Sequence, residues 1–159
     1  MRQRGFTLIE LMITISVFLI LLAFAAPNIL RTRNSAVVNT SIDTVLADIK
    51  QQQLKSMVGD TGGSGNASSY GVYFGTTSYT LFKGSTYNSS DTTNVVVPLE
   101  GSVQFSNVTL LNSQVVFARG TGEISGFVTG QDSFSLSEPS GGRVTSATFN
   151  KYGVVITEN

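Results

Sequence analysis

MRQRGFTLIELMITISVFLILLAFAAP, residues 1–27, decides how this chain is organised, and the decisive part is RGFTLIEL, Arg4–Leu11. The 21 residues from Phe6 to Ala26 are almost wholly apolar, yet the fifth of them is a full acid, Glu10. A helix of that length rises about 32 Å at ~1.5 Å per residue, close to the ~30 Å hydrocarbon core of a bilayer. Its apolar side chains surround the whole helix, a pattern of membrane-embedded helices or of helices buried among others. A carboxylate inside a bilayer helix costs on the order of a few kcal/mol and is usually functional.

Two simple readings of the segment leave Glu10 unexplained. One is a plain membrane anchor. The other is a secretory signal peptide, with Arg2 and Arg4 as its basic start and Ala23-Phe24-Ala25 as a cleavage site. Neither gains anything from the acid. Charge alone does not orient the helix, because Arg2 and Arg4 before it are balanced by Arg31 and Arg33 after it.

Gly5-Phe6-Thr7-Leu8-Ile9-Glu10 resembles the prepilin motif of type IV pilins and type II secretion pseudopilins. The resemblance implies a leader, Met1–Gly5, removed by a prepilin peptidase at the cytoplasmic side. Phe6 would then be the new N-terminus and would be N-methylated. Glu10 falls at the family's acidic position, where it meets the Phe6 amine of a neighbouring subunit, and Pro27 falls where many members carry a helix-kinking proline. Two buried charges then compensate one another in low dielectric. They also fix register, since four helical residues separate them and stagger the partners by ~6 Å plus side-chain reach. The same resemblance puts the protein in the bacterial inner membrane as a single-pass chain, with its C-terminal region outside, and later in a pilus or pseudopilus.

The remaining residues exclude more than they suggest. Basic and acidic residues number ten each, so no field favours nucleic acid or acidic lipid. Charged residues are 13 % of the chain, against roughly 25 % in typical soluble domains, which leaves a neutral polar surface. There is no cysteine and no histidine. That removes disulfides, zinc sites of the usual kind and Ser-His or Cys-His nucleophile systems. Asp60, Asp91, Glu100, Glu123, Asp132 and Glu138 are scattered singly and read as surface acids. Arg119, Arg143, Lys83 and Lys151 read as a solvated face rather than an anion or DNA site. The N-x-S/T triplets at Asn39, Asn66, Asn88 and Asn107 are what chance gives in a Ser/Thr-rich chain. No catalytic, metal or cofactor residue is expected.

Beyond the apolar run, Pro27 predicts a kink or break near Ala23–Pro27. Val38, Ile42, Val45 and Ile49, with Leu46, recur at three- and four-residue spacing. They predict an amphipathic helix over about 28–58 whose stripe packs on its own domain, with Lys55 in the last turn and Gly59 as the stop. GDTGGSGNASS, 59–69, lacks the Gly-Lys-Ser/Thr ending of a phosphate loop and the alternating acids of a calcium loop, so it reads as a connection. From Tyr70 the period becomes two. Strands are predicted at 70–74, 78–82, 94–100, 103–111, 114–118, 133–138, 143–149 and 153–157. Asn112-Ser113 reads as a tight hairpin turn, Asn150–Gly153 as a longer turn, and Pro98 as an edge or strand-end residue. Tyr70, Tyr73, Phe74, Tyr79 and Phe82 read as core and sheet surface.

The expected fold is therefore α+β and pilin-like, a long N-terminal helix packed on a mainly antiparallel β domain spanning 70–159. Val116, Phe117, Gly120 and Gly122, then Gly153 and Val154, resemble the H-type minor pseudopilins and their type IV pilus relatives. That resemblance implies a minor structural subunit whose partners are the prepilin peptidase, other pilin-type subunits and, before assembly, membrane lipid. A major pilin, or an exported membrane-anchored binding domain that forms no filament, are the alternatives. Neither a Cys pair nor a calcium loop closes the C-terminal region, so sheet pairing alone is expected to hold it.

Overall fold

The computed structural model describes residues 7–63, 65–139 and 144–158, with backbone alone over 24–35 and 157–158. The expected leader Met1–Gly5, the Gly5–Phe6 junction and Arg143 lie outside the described residues, as do the side chains of Pro27, Arg31 and Arg33.

One helix, α1, runs from Leu8 to Val58. It passes through Pro27 without interruption, so the break expected there is absent. A proline removes only its own link in the hydrogen-bond ladder, and the ladder resumes on either side. The N-terminus is closed by Thr7 and Glu10. At the other end Gly59, at φ 70°, takes the left-handed conformation; its N–H reaches the Ser56 carbonyl and the Asp60 N–H reaches the Lys55 carbonyl. This paired closure satisfies the last carbonyls and ends the helix where the sequence places its stop.

Among the described residues eight strands follow: β1 Tyr70–Phe74, β2 Ser78–Lys83, β3 Val95–Pro98, β4 Gln104–Val108, β5 Gln114–Phe117, β6 Ser133–Ser137, β7 Thr145–Phe149 and β8 Val155–Glu158. They form two four-stranded antiparallel sheets, ordered β3-β2-β1-β5 and β4-β6-β7-β8. The Asn112-Ser113 hairpin expected from the sequence is not there. β4 pairs with β6, and β5 pairs with β1, so the chain crosses between sheets at this point. Leu111–Ser113 is a 3-10 turn in which Asn112 and Ser113 sit at φ 54° and 52°. The local turn signal was real, but it redirects the chain instead of folding it back. Pro98 does end an edge strand.

The stripe Val38, Ile42, Val45 and Ile49 is 0–1 % exposed and packs into one core with both sheets. Rings cross the space between the sheets: Phe74 stacks on Phe134 at 5.1 Å and meets Phe105 edge-on at 5.2 Å. The aromatics of β1 and β2 divide between the core and the outer face. Tyr70, Phe74, Tyr79 and Phe82 are buried, while Tyr73 lies at the surface against Tyr87, ring centres 4.1 Å apart.

Candidate functional site

The N-terminal end of α1 is built by four residues. Thr7 is extended, and its Oγ1 accepts the Glu10 N–H at 3.3 Å. The Thr7 N–H donates to Glu10 Oε2 at 3.0 Å and the Thr7 hydroxyl donates to the same oxygen at 2.8 Å. This is a reciprocal capping box, and Thr-x-x-Glu before an apolar run is its sequence signature. The signal was present in Thr7-Leu8-Ile9-Glu10, and the reading of Glu10 as an assembly group passed over it. The acid thus has a partner inside its own helix. All three contacts are with Thr7, and the two that reach the carboxylate share Oε2; among the described residues Oε1 accepts no hydrogen bond.

Past the cap the helix has no cover. The large apolar side chains from Leu8 to Leu22 are each 50–78 % exposed. Burying one such side chain stabilises by ~1.5–3 kcal/mol, so a surface of this extent is worth tens of kcal/mol to whatever covers it. Among the described residues no helix is long and apolar enough to cross a membrane; the part of the apolar run whose side chains are described ends at Ala23. No group of three or more potential metal-ligating side chains occurs among the described residues.

Residues 1–26 match the family described as the prokaryotic N-terminal methylation motif. The chain carries a type IV pilin-like prepilin signal. The match ends at the apolar run and does not extend over the β domain. No curated protein and no solved structure matches the chain. Glu10 and the uncovered helix belong to the matched segment, and the α+β architecture behind it is consistent with a pilin-like fold.

The glycines singled out in the second half converge on the last turns of α1. The Gly120 N–H donates to the Ser56 carbonyl at 2.9 Å. Gln53 Nε2 donates to the Gly122 carbonyl at 2.8 Å and to the Tyr152 carbonyl at 2.7 Å. Lys50 Nζ donates to the Gly153 carbonyl at 2.9 Å. Gly153 has φ +69°, and a Cβ there would lie 2.7 Å from Gln53 Nε2 and 2.8 Å from the Phe117 ring. The C-terminal region is therefore held by the helix as well as by sheet pairing, which corrects the expectation of pairing alone. Lys151 adds an exposed ion pair to Glu123 at 3.1 Å, and that neighbour raises the lysine's pKa. Solvent screens such an exposed pair, so it adds little to stability.

The remaining candidates have structural partners. Asp60 Oδ1 accepts the Gly62 N–H at 2.8 Å and Lys83 Nζ donates to the Thr61 carbonyl at 2.5 Å, so the glycine-rich loop is tied down as a connection. Asp91 caps the Thr93 N–H and hydroxyl, which lowers its pKa. Glu138 is buried and accepts from the Ser102 hydroxyl at 2.8 Å.

Proposed function

We propose that the chain is a minor structural subunit of a type IV pilus or type II secretion pseudopilus, of the H type, anchored once in the inner membrane before assembly. A prepilin peptidase cuts between Gly5 and Phe6 and Phe6 is N-methylated; the subunit then assembles with others through α1. The methylation motif on residues 1–26, continuous with a helix that exposes apolar side chains on every side, is the observation that carries this reading. An anchor accounts for the apolar surface, and the Thr7 cap engages one oxygen of the acid, Oε2. A filament accounts for the surface and the acid together.

The cap geometry supports a specific use of Glu10. Thr7 engages Oε2, which orients the carboxylate and offsets part of its cost while the subunit stands alone in lipid. Oε1 is then the oxygen that meets the Phe6 amine of the next subunit. Removing one member of a buried pair costs ~3–5 kcal/mol because the other charge stays unpaired, a hundredfold or more in an equilibrium constant. Glu10→Ala should therefore be processed normally and enter filaments at about 1 % of the parent level or less, measured by shearing filaments and immunoblotting the sheared and cell fractions. Parent-level incorporation would refute the pairing. Filaments lost when only this gene is deleted, but restored by trace expression, would mark a minor subunit; restoration that needs stoichiometric amounts would mark a major one.

A further inference from the structure

Gln53 is 9 % exposed, and both ends of its carboxamide are hydrogen-bonded. Both amide hydrogens go to carbonyls, Gly122 in the connection after β5 and Tyr152 in the turn between β7 and β8. Its Oε1 accepts Lys50 Nζ at 3.3 Å, and Lys50 reaches on to the Gly153 carbonyl. One side chain of α1 thus fastens two turns that lie 69 and 99 residues further along the chain. Met57 closes over Gly122, where a Cβ would lie 2.4 Å from its Cγ, so the helix surface is fitted to both turns.

The strand beyond this point has little else to hold it. Among the described residues β8 pairs only with β7, shifts register at Thr148/Phe149, and packs one half-buried side chain, Val155, on the core. Val154 and Ile156 are 48 % and 60 % exposed. The two turns also touch each other, through the Ile124 N–H to the Lys151 carbonyl at 2.9 Å and the exposed Glu123–Lys151 pair. β1 and β2, by contrast, lie at the buried centre of their sheet, and the Tyr70 N–H is held by the fully buried Ser56 hydroxyl.

We propose that Gln53 is a latch that fastens the β7–β8 hairpin and the 118–124 turn to α1 as one unit, so that its release opens both while the β1–β2 sheet stays docked. Short edge strands with few buried side chains are the parts of a fold that open first.

Amide hydrogen exchange on the full chain in detergent micelles tests the latch. Gln53→Met keeps the side-chain length and removes both donors. It should lower protection in 119–124 and 151–156 together by tenfold or more, leaving 70–83 unchanged. Lys50→Met, which loses the contacts to the Gly153 carbonyl and to Gln53 Oε1 but leaves both Gln53 donors in place, should loosen 151–156 and spare 119–124. Loss confined to one turn in Gln53→Met, loss spread evenly over all strands, or no change would each overturn the proposal. If Gln53→Met does not fold, Lys50→Met decides alone: loosening of 151–156 without 70–83 supports the latch, and a uniform or absent effect overturns it.

Discussion

Ile42 and Ile15 lie on the same helix and have opposite surroundings, and truncating each separates the two jobs assigned to α1. Ile42 is 1 % exposed within the core shared with both sheets, whereas Ile15 is 50 % exposed with nothing of this chain over it. Ile42→Ala removes buried carbons that the neighbours replace only in part, a change that costs ~2–5 kcal/mol through lost transfer and residual cavity. A domain of this size has roughly 5–15 kcal/mol in total, and each kcal/mol moves its Tm by about 2–4 °C. At ~3 kcal/mol, a drop of about 6–12 °C is expected. Ile15→Ala should move the same transition by less than about 2 °C, since a substitution without buried contacts stays within ~0.5 kcal/mol. The chain has five tyrosines and no tryptophan, so near-ultraviolet circular dichroism in detergent follows the tyrosine environment during heating. Equal shifts for the two variants would refute the division of the helix into a domain-packing half and an outward-facing half. So would an Ile42→Ala shift under about 2 °C.

Other outcomes follow from single sites. Gly153→Ala forces an L side chain into the left-handed region, which costs ~1–2 kcal/mol, and adds a Cβ against Gln53 and Phe117; a loss of at least ~2 kcal/mol in urea unfolding is expected, and a neutral result would show that the turn can shift. Tyr79 is almost fully buried and donates to Asp48 at 2.5 Å; burial first, then that acid, raises its pKa. A raised phenol pKa means the folded chain holds a proton that the unfolded chain gives up near pH ~10, so stability is constant below that pH and falls above it, with a limiting slope of about 1.4 kcal/mol per pH unit. Tyr79→Phe should flatten the difference between pH 9 and 11 relative to the parent, and an unchanged alkaline slope would count against the buried phenol as its source.

The core stripe was legible because Val38, Ile42, Val45 and Ile49 repeat at the helical period and their burial depends on that period alone. The strands were legible in number and approximate place for the same reason, and the edges drifted by a few residues where pairing, not composition, sets the end. Pairing partners were not legible. Asn112-Ser113 carries a turn signal, but nothing local tells whether the next strand returns to the same sheet. Gln53 was invisible for a related reason: a polar helix residue reads as solvated until carbonyls from two distant turns arrive over it. The capping box is legible in Thr7-x-x-Glu10, and it gives Glu10 a local role beside the assembly role that the motif implies.

The central claim is that Gly5–Phe6 is a processing site and not merely the edge of an anchor. Intact-mass and N-terminal fragmentation spectra of the chain expressed with a prepilin peptidase test it most directly. The account predicts loss of Met1–Gly5 and a chain beginning at Phe6 with one added methyl group, and no processing in the Gly5→Leu variant. A full-length chain, or a cut after Ala25, would contradict it.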